Sequence, residues 1–110
     1  MEVTSELVGN VHIVTLNGEL DASNVNYFKE MVLPLLTSPI KLLIDLSGIR
    51  FIDSSGMGAM ISCQRHAAAV GGRLKLCGLS PVVRAAFELL RLQAILDINN
   101  TREEALQSFA

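Results

Sequence analysis

The stretch IKLLIDL, residues 40–46, constrains the fold more than any other part of the chain. It is a nearly continuous apolar run, so both faces of a strand there would be covered, as in the middle of a sheet that carries helices. Residues 2–8 (EVTSELV) and 11–16 (VHIVTL) are β-rich and flank the turn dipeptide Gly9-Asn10, which predicts a hairpin. Asn17-Gly18 predicts a turn after it. From Ser23, Val25, Phe28, Val32 and Leu35 recur at helical spacing, with Pro34 near the end and Ser38-Pro39 as the stop. Ser47-Gly48 predicts the end of the central strand. A helix is expected from about Ser54 to Val70, stopped by Gly71-Gly72, then a short strand LKLC at 74–77. Ser80-Pro81 opens a helix through Leu92, and ILDI at 95–98 reads as a last strand. Thr101 to Glu104 has the T-x-x-E spacing of a capping box before a final helix. The order ββαβαβαβα predicts an α/β fold with a mostly parallel or mixed sheet, and one domain is expected over 1–110.

Composition narrows what such a fold could do. Half the residues are hydrophobic but only 5% are aromatic, so the core must be aliphatic. A net charge of −2 with no basic block argues against nucleic acid as a partner, because neutralising phosphates takes clustered Lys and Arg. The acidic excess lies in residues 1–50, with six acids against three bases. Cys63 and Cys77 have neither CxxC nor metal-ligand spacing and read as buried, reduced thiols. His12 and His66 stand alone, which leaves a metal site without support. The start, MEVTSELVGN, is too acidic and polar for a secretory signal. No apolar run approaches the ~18 residues that cross a bilayer. A cytoplasmic location is therefore expected.

The most informative stretch is FIDSSGMGAMISC, residues 51–63, where a strand pattern gives way to a helical one. A catalytic serine would need a G-x-S-x-G elbow, but Ile52 and Asp53 occupy the positions two before Ser54 and Ser55. Neither histidine is placed as a base: His12 lies in the hairpin, and His66 is ~18 Å along the same helix. The phosphate-loop pattern G-x-x-x-x-G-K-[ST] is absent, and no lysine lies between Lys41 and Lys75. Gly56 and Gly58 begin a G-x-G-x-x-G whose third glycine is replaced by Ile61. The free N–H groups of a helix start still leave weak anion contact open. Asp53, Ser54 and Ser55 are all good capping residues. A cap requires one of them, and explains neither glycine. On a helical wheel, Met60, Cys63, Ala67 and Val70 form one apolar stripe, while Met57, Ile61 and Ala68 form another about 120° away. Two stripes exceed what one sheet buries. Met57, unbranched and polarizable, is expected to meet a partner, and Ile61 to face the sheet.

Taken together, Gly18-Glu19-Leu20-Asp21 after a hairpin strand, IDLSGIRFIDSSGMG from Ile44 to Gly58, and Gly71-Gly72 before the next strand resemble the STAS family, and more narrowly the bacterial anti-sigma-factor antagonists. The resemblance spans essentially the whole chain, and D-S-[ST]-G-[LM]-G is its most specific part. It implies a small mixed β-sheet with helices packed mainly on one side. It also implies that Ser54, directly after Asp53, is phosphorylated by a partner that is both anti-sigma factor and serine kinase of the GHKL type. The unphosphorylated protein would bind that kinase and free a sigma factor. The phosphorylated form would let go, and a PP2C-type serine phosphatase would restore it. Asp21, Asp53, Ser54, Ser55, Gly56, Met57 and Gly58 are then the expected partner-binding residues, with Met57 where leucine is commoner. No catalytic residue, metal or cofactor is implied. The runner-up on the same fold is an accessory STAS module of a lipid or anion transporter; the intact D-S-S-G in a chain of this length favours the switch. A small nucleotide-binding or hydrolysing enzyme is the third reading, and lacks a base, a metal site and a phosphate lysine.

Overall fold

Five strands lie in the sheet in the same order as in the chain. The computed structural model describes all 110 residues. Strand β1 (Glu2–Val8) and β2 (Val11–Leu20) form the antiparallel hairpin. Strands β3 (Lys41–Ile52), β4 (Arg73–Cys77) and β5 (Ile98–Asn99) each add in parallel to the strand before. Helices α1 (Val25–Val32), α2 (Ser54–Ala69) and α3 (Pro81–Leu89) make the crossovers. Parallel crossovers are right-handed almost without exception. Three that advance one strand at a time in the same direction therefore stack their helices on one face. The last helix, α4 (Arg102–Ser108), is left to cover the other.

The apolar run at 40–46 behaves as its pattern requires. Leu42, Ile44 and Leu46 join the main core beneath α1, α2 and α3, with Val14, Leu16, Phe28, Met60, Leu76 and Phe87. Leu43 points the other way, into a smaller cluster with Val11, Ile13, Cys77, Ala105 and Phe109 under α4. Local signals set the helix ends. The Ser80 hydroxyl accepts from the Val83 amide at 3.3 Å, ahead of Pro81. The Thr101 hydroxyl accepts from the Glu104 amide at 3.1 Å. Both cysteines are buried free thiols, and burial pushes each up to about 12.

Several boundaries differ from expectation; α3, for one, ends at Leu89 and not at Leu92. Asn17-Gly18 does not turn the chain, and Ser47-Gly48 does not end the central strand. Both pairs lie inside one longer pairing of β2 with β3, whose register slips between Thr15 and Asn17 and again between Gly18 and Glu19. At each slip β3 carries one residue more than β2, which makes a bulge. Gly48 fits there because a Cβ would fall 1.9 Å from the Asn17 side-chain oxygen and 2.7 Å from the Leu16 carbonyl. The last strand is also shorter and later than ILDI, because the chain after α3 turns through a 3-10 segment, Leu92–Ala94, before pairing.

One side chain ties the open face together. Arg102, at the start of α4, donates through Nε and Nη2 to Asp45 Oδ2 at 3.1 and 2.9 Å. It also reaches Thr15 Oγ1 on β2 and Glu6 Oε1 on β1, each at 3.0 Å. Asp45 lies in the middle of β3 and is 6% exposed. Burial alone would raise its pKa, but hydrogen bonds from Ser47 and the Arg102 guanidinium outweigh that and hold it below the ordinary carboxylate value. A carboxylate depressed in this way stabilises the fold above its unfolded pKa, and that stability is lost as pH falls through the folded value. Arg102→Ala should therefore lower stability by about 2 kcal/mol in urea titrations at neutral pH. Its acid unfolding should begin at higher pH than in the wild type, as read by circular dichroism.

Candidate functional site

The long pairing of β2 with β3 decides where the serine motif lies. Strand β4 ends at Cys77, opposite Asp45, so the last part of β3 bonds to β2 alone. The final pair is Leu20 with Ile52, both buried. Each strand thus releases the chain at the same level, and the next residue of each is an aspartate, Asp21 and Asp53. The Asp53 amide closes the pairing by donating to the Leu20 carbonyl at 3.2 Å.

Asp53 is the N-cap of α2, with its Oδ1 accepting from the Gly56 amide at 3.0 Å. Its Oδ2 accepts from the Ala22 amide of the β2–α1 loop at 3.1 Å. Asp21 organises that loop from within: its Oδ1 accepts from both the hydroxyl and the amide of Ser23, which lowers its pKa. Asn24 accepts from the Asp21 amide at 3.0 Å and donates to the Glu19 carbonyl at 2.8 Å. Ala22, Ser23 and Asn24 were not singled out in the sequence. The signal was present in Asp21-Ala22-Ser23-Asn24, a run suited to side chains that bond to their own turn.

Ser54 is the first residue of α2 and is exposed, whereas Ser55 beside it is half-buried. The two glycines differ. At Gly56 a Cβ would lie 2.6 Å from Ile52 Cγ1, 2.9 Å from Leu20 Cγ and 3.0 Å from the Leu20 carbonyl, so the close approach of helix to strand ends demands glycine. Gly58 is exposed and a Cβ there would meet nothing within 4 Å. Ser54, exposed at the end of the sheet, belongs to no cleft. The cavity of about 470 Å³ is lined by Lys29, Glu30, Leu33, Pro34, Thr37 and His66, at the opposite end of α2.

Met57 is a correction. It is 9% exposed and belongs to the main core, while Ile61 is only half-buried at the core's margin. A helical wheel shows which residues share a face but not which neighbours cover it. In the structure α1 and the 3-10 turn that follows it, Leu33–Thr37, pack along α2 as well, so a wider arc of the helix is enclosed. Met57 lies on the other flank of α2, nine residues and so half a turn round from His66, which borders that 3-10 turn; it is enclosed by the main core, which leaves little of it for a partner. Ile61, on the same flank as Met57, is only partly covered by the core.

Comparison with known proteins agrees with this architecture. The model of the STAS domain matches residues 2–105, and the chain belongs to that family. The anti-sigma-B factor antagonist of Bacillus subtilis is 30% identical over 94 residues, 86% of this chain and 86% of that protein. The unphosphorylated form of the anti-sigma factor antagonist SpoIIAA superposes with a TM-score of 0.81 at 27% identity, over 98% of this chain and 96% of that one. The phosphorylated form of the Bacillus cell fate determinant SpoIIAA gives 0.74 at 26% identity, over 99% and 100%. The fold is the STAS fold, with its mixed sheet and helices mainly on one side.

The packing at three positions of the motif can be tested directly. Gly56→Ala should lower stability by about 2 kcal/mol through overpacking. Gly58→Ala should raise it by up to about 1 kcal/mol, since alanine is the better helix former in open space. Met57→Lys should cost about 3 kcal/mol by placing a charge in the core. Thermal melts of the three variants check these signs.

Proposed function

We propose that this protein is an anti-sigma-factor antagonist of the partner-switching kind, a regulatory protein rather than an enzyme. In this reading Ser54 is its phosphoacceptor. The unphosphorylated form binds a GHKL-type serine kinase that is also the anti-sigma factor, and so frees the sigma factor. Phosphorylation of Ser54 abolishes that binding, and a PP2C-type phosphatase reverses it. The observation that carries the reading is the exposed Ser54 hydroxyl at the first position of α2, outside any cleft, in a chain whose relatives are named anti-sigma factor antagonists. A serine on such a surface suits a protein that brings its own active site. Asp21, Asp53, Ser55 and Gly58 surround it as the partner-binding surface. Gly56 supports that surface from below.

Physical chemistry favours release without unfolding. A phosphate adds about −1.5 to −2 charges at pH 7. At an exposed helix start the free N–H groups and the dipole accommodate an anion, with a gain of roughly 0.3–1 kcal/mol. In an interface shaped for a hydroxyl, a dianion beside the Asp53 carboxylate costs several kcal/mol. Each 1.4 kcal/mol is about tenfold in affinity, so binding weakens by roughly two to three orders of magnitude.

Phosphopeptide mapping after incubation with the cognate kinase and ATP should place the label on Ser54 alone, with none in Ser54→Ala. In titration calorimetry Ser54→Asp should bind the kinase at least tenfold more weakly, while its melting free energy stays within about 1 kcal/mol of wild type. Label on Ser55, or wild-type affinity in Ser54→Asp, would overturn the assignment.

A further inference from the structure

The β2–α1 loop is wired almost entirely to itself. The Asp21 amide donates to Asn24, the Ser23 amide to Asp21, and the Asn24 and Val25 amides to the Asp21 carbonyl. One loop amide differs. That of Ala22 donates across 31 residues of sequence to Asp53 Oδ2, the residue before Ser54. The other oxygen of the same carboxylate caps α2 through Gly56. A single side chain therefore accepts from the loop and from the serine's own helix at once.

We propose that Asp53 is a positioning residue that relays the state of Ser54 to the β2–α1 loop: a phosphate on Ser54 draws the Asp53 carboxylate off the Ala22 amide and loosens residues 21–24. The inference rests on the proposed phosphorylation of Ser54. Two effects drive it. The phosphate dianion and the Asp53 carboxylate are on adjacent residues and repel each other. The phosphate oxygens also compete for the free N–H groups at the start of α2, of which Asp53 now holds one. The cap to Gly56 spans three residues and re-forms locally, whereas the bond to Ala22 joins separate segments and is the one lost. A partner then meets two changes, a new charge at Ser54 and a loop that no longer presents Asp21 in fixed register.

Amide hydrogen exchange of the whole protein, followed by NMR, tests the relay without any partner. Four samples are needed: wild type and Asp53→Asn, each with serine or genetically encoded phosphoserine at position 54. Asparagine has one oxygen in place of two, so it keeps the cap and gives up the loop. Losing one hydrogen bond to a charged acceptor corresponds to about a tenfold or greater rise in local opening. Ala22 should exchange about tenfold faster in phosphorylated wild type and in unphosphorylated Asp53→Asn. Phosphorylation should add nothing further in Asp53→Asn, because the contact it acts on is already gone. Should Asp53→Asn not fold, Ala22→Pro removes the same donor at a turn position suited to proline, and the Ser23 amide is read instead. Unchanged exchange on phosphorylation of the wild type, or equal acceleration in the variant, overturns the relay. Loss of kinase binding without a loop response would leave the proposed switch standing and remove only the relay.

Discussion

The parallel pairing of β2 with β3 is the constraint on which the rest of the structure depends. It continues past the end of β4, through two bulges, to Leu20 and Ile52. Without that extension the two aspartates would leave the sheet at different levels. With it, Asp21 and Asp53 emerge side by side, the Asp53 carboxylate spans both segments, and α2 begins where its first serine faces water. Gly56 belongs to the same constraint. The helix starts so close to Leu20 and Ile52 that a methyl group would not fit.

This arrangement separates the requirements of folding from those of recognition within the six residues from Asp53 to Gly58. Asp53 and Gly56 are bound by packing or hydrogen bonding, and Met57 is enclosed. Ser54 and Gly58 are under no such demand, because neither is enclosed and nothing in the fold asks for a bare Cα at Gly58. A charge placed on Ser54 consequently acts at the surface, on the neighbouring Asp53 carboxylate and on whatever approaches from outside, and the core does not register it.

Much of this was legible in the amino-acid order, because the elements announced themselves through short-range chemistry. The run at 40–46 could only be a strand covered on both faces, and Asp53, Ser80 and Thr101 each cap the helix they precede. The errors have a common source, since each concerns what lies beside an element rather than within it. Asn17-Gly18 and Ser47-Gly48 look like turns when read alone. They are bulge residues because each finds the other across the β2–β3 ladder. Met57 looked surplus because the wheel of α2 carries no mark of how far round the helix the main core extends. The Asp53–Ala22 bond was equally invisible, being a contact between residues 31 apart in sequence.

The Arg102 cluster has a consequence for how the fold closes. Asp45 lies at the centre of the sheet, and its cationic partner is 57 residues further on. Until α4 docks, that face of the sheet is open, and water answers the Asp45 carboxylate in place of the guanidinium. Docking of α4 therefore buries Asp45 and supplies its cation in the same step, with Arg102 joining β1, β2 and β3 to the last helix. One guanidinium thus works as a clasp, since the charge that makes burial of Asp45 tolerable comes with the element that buries it.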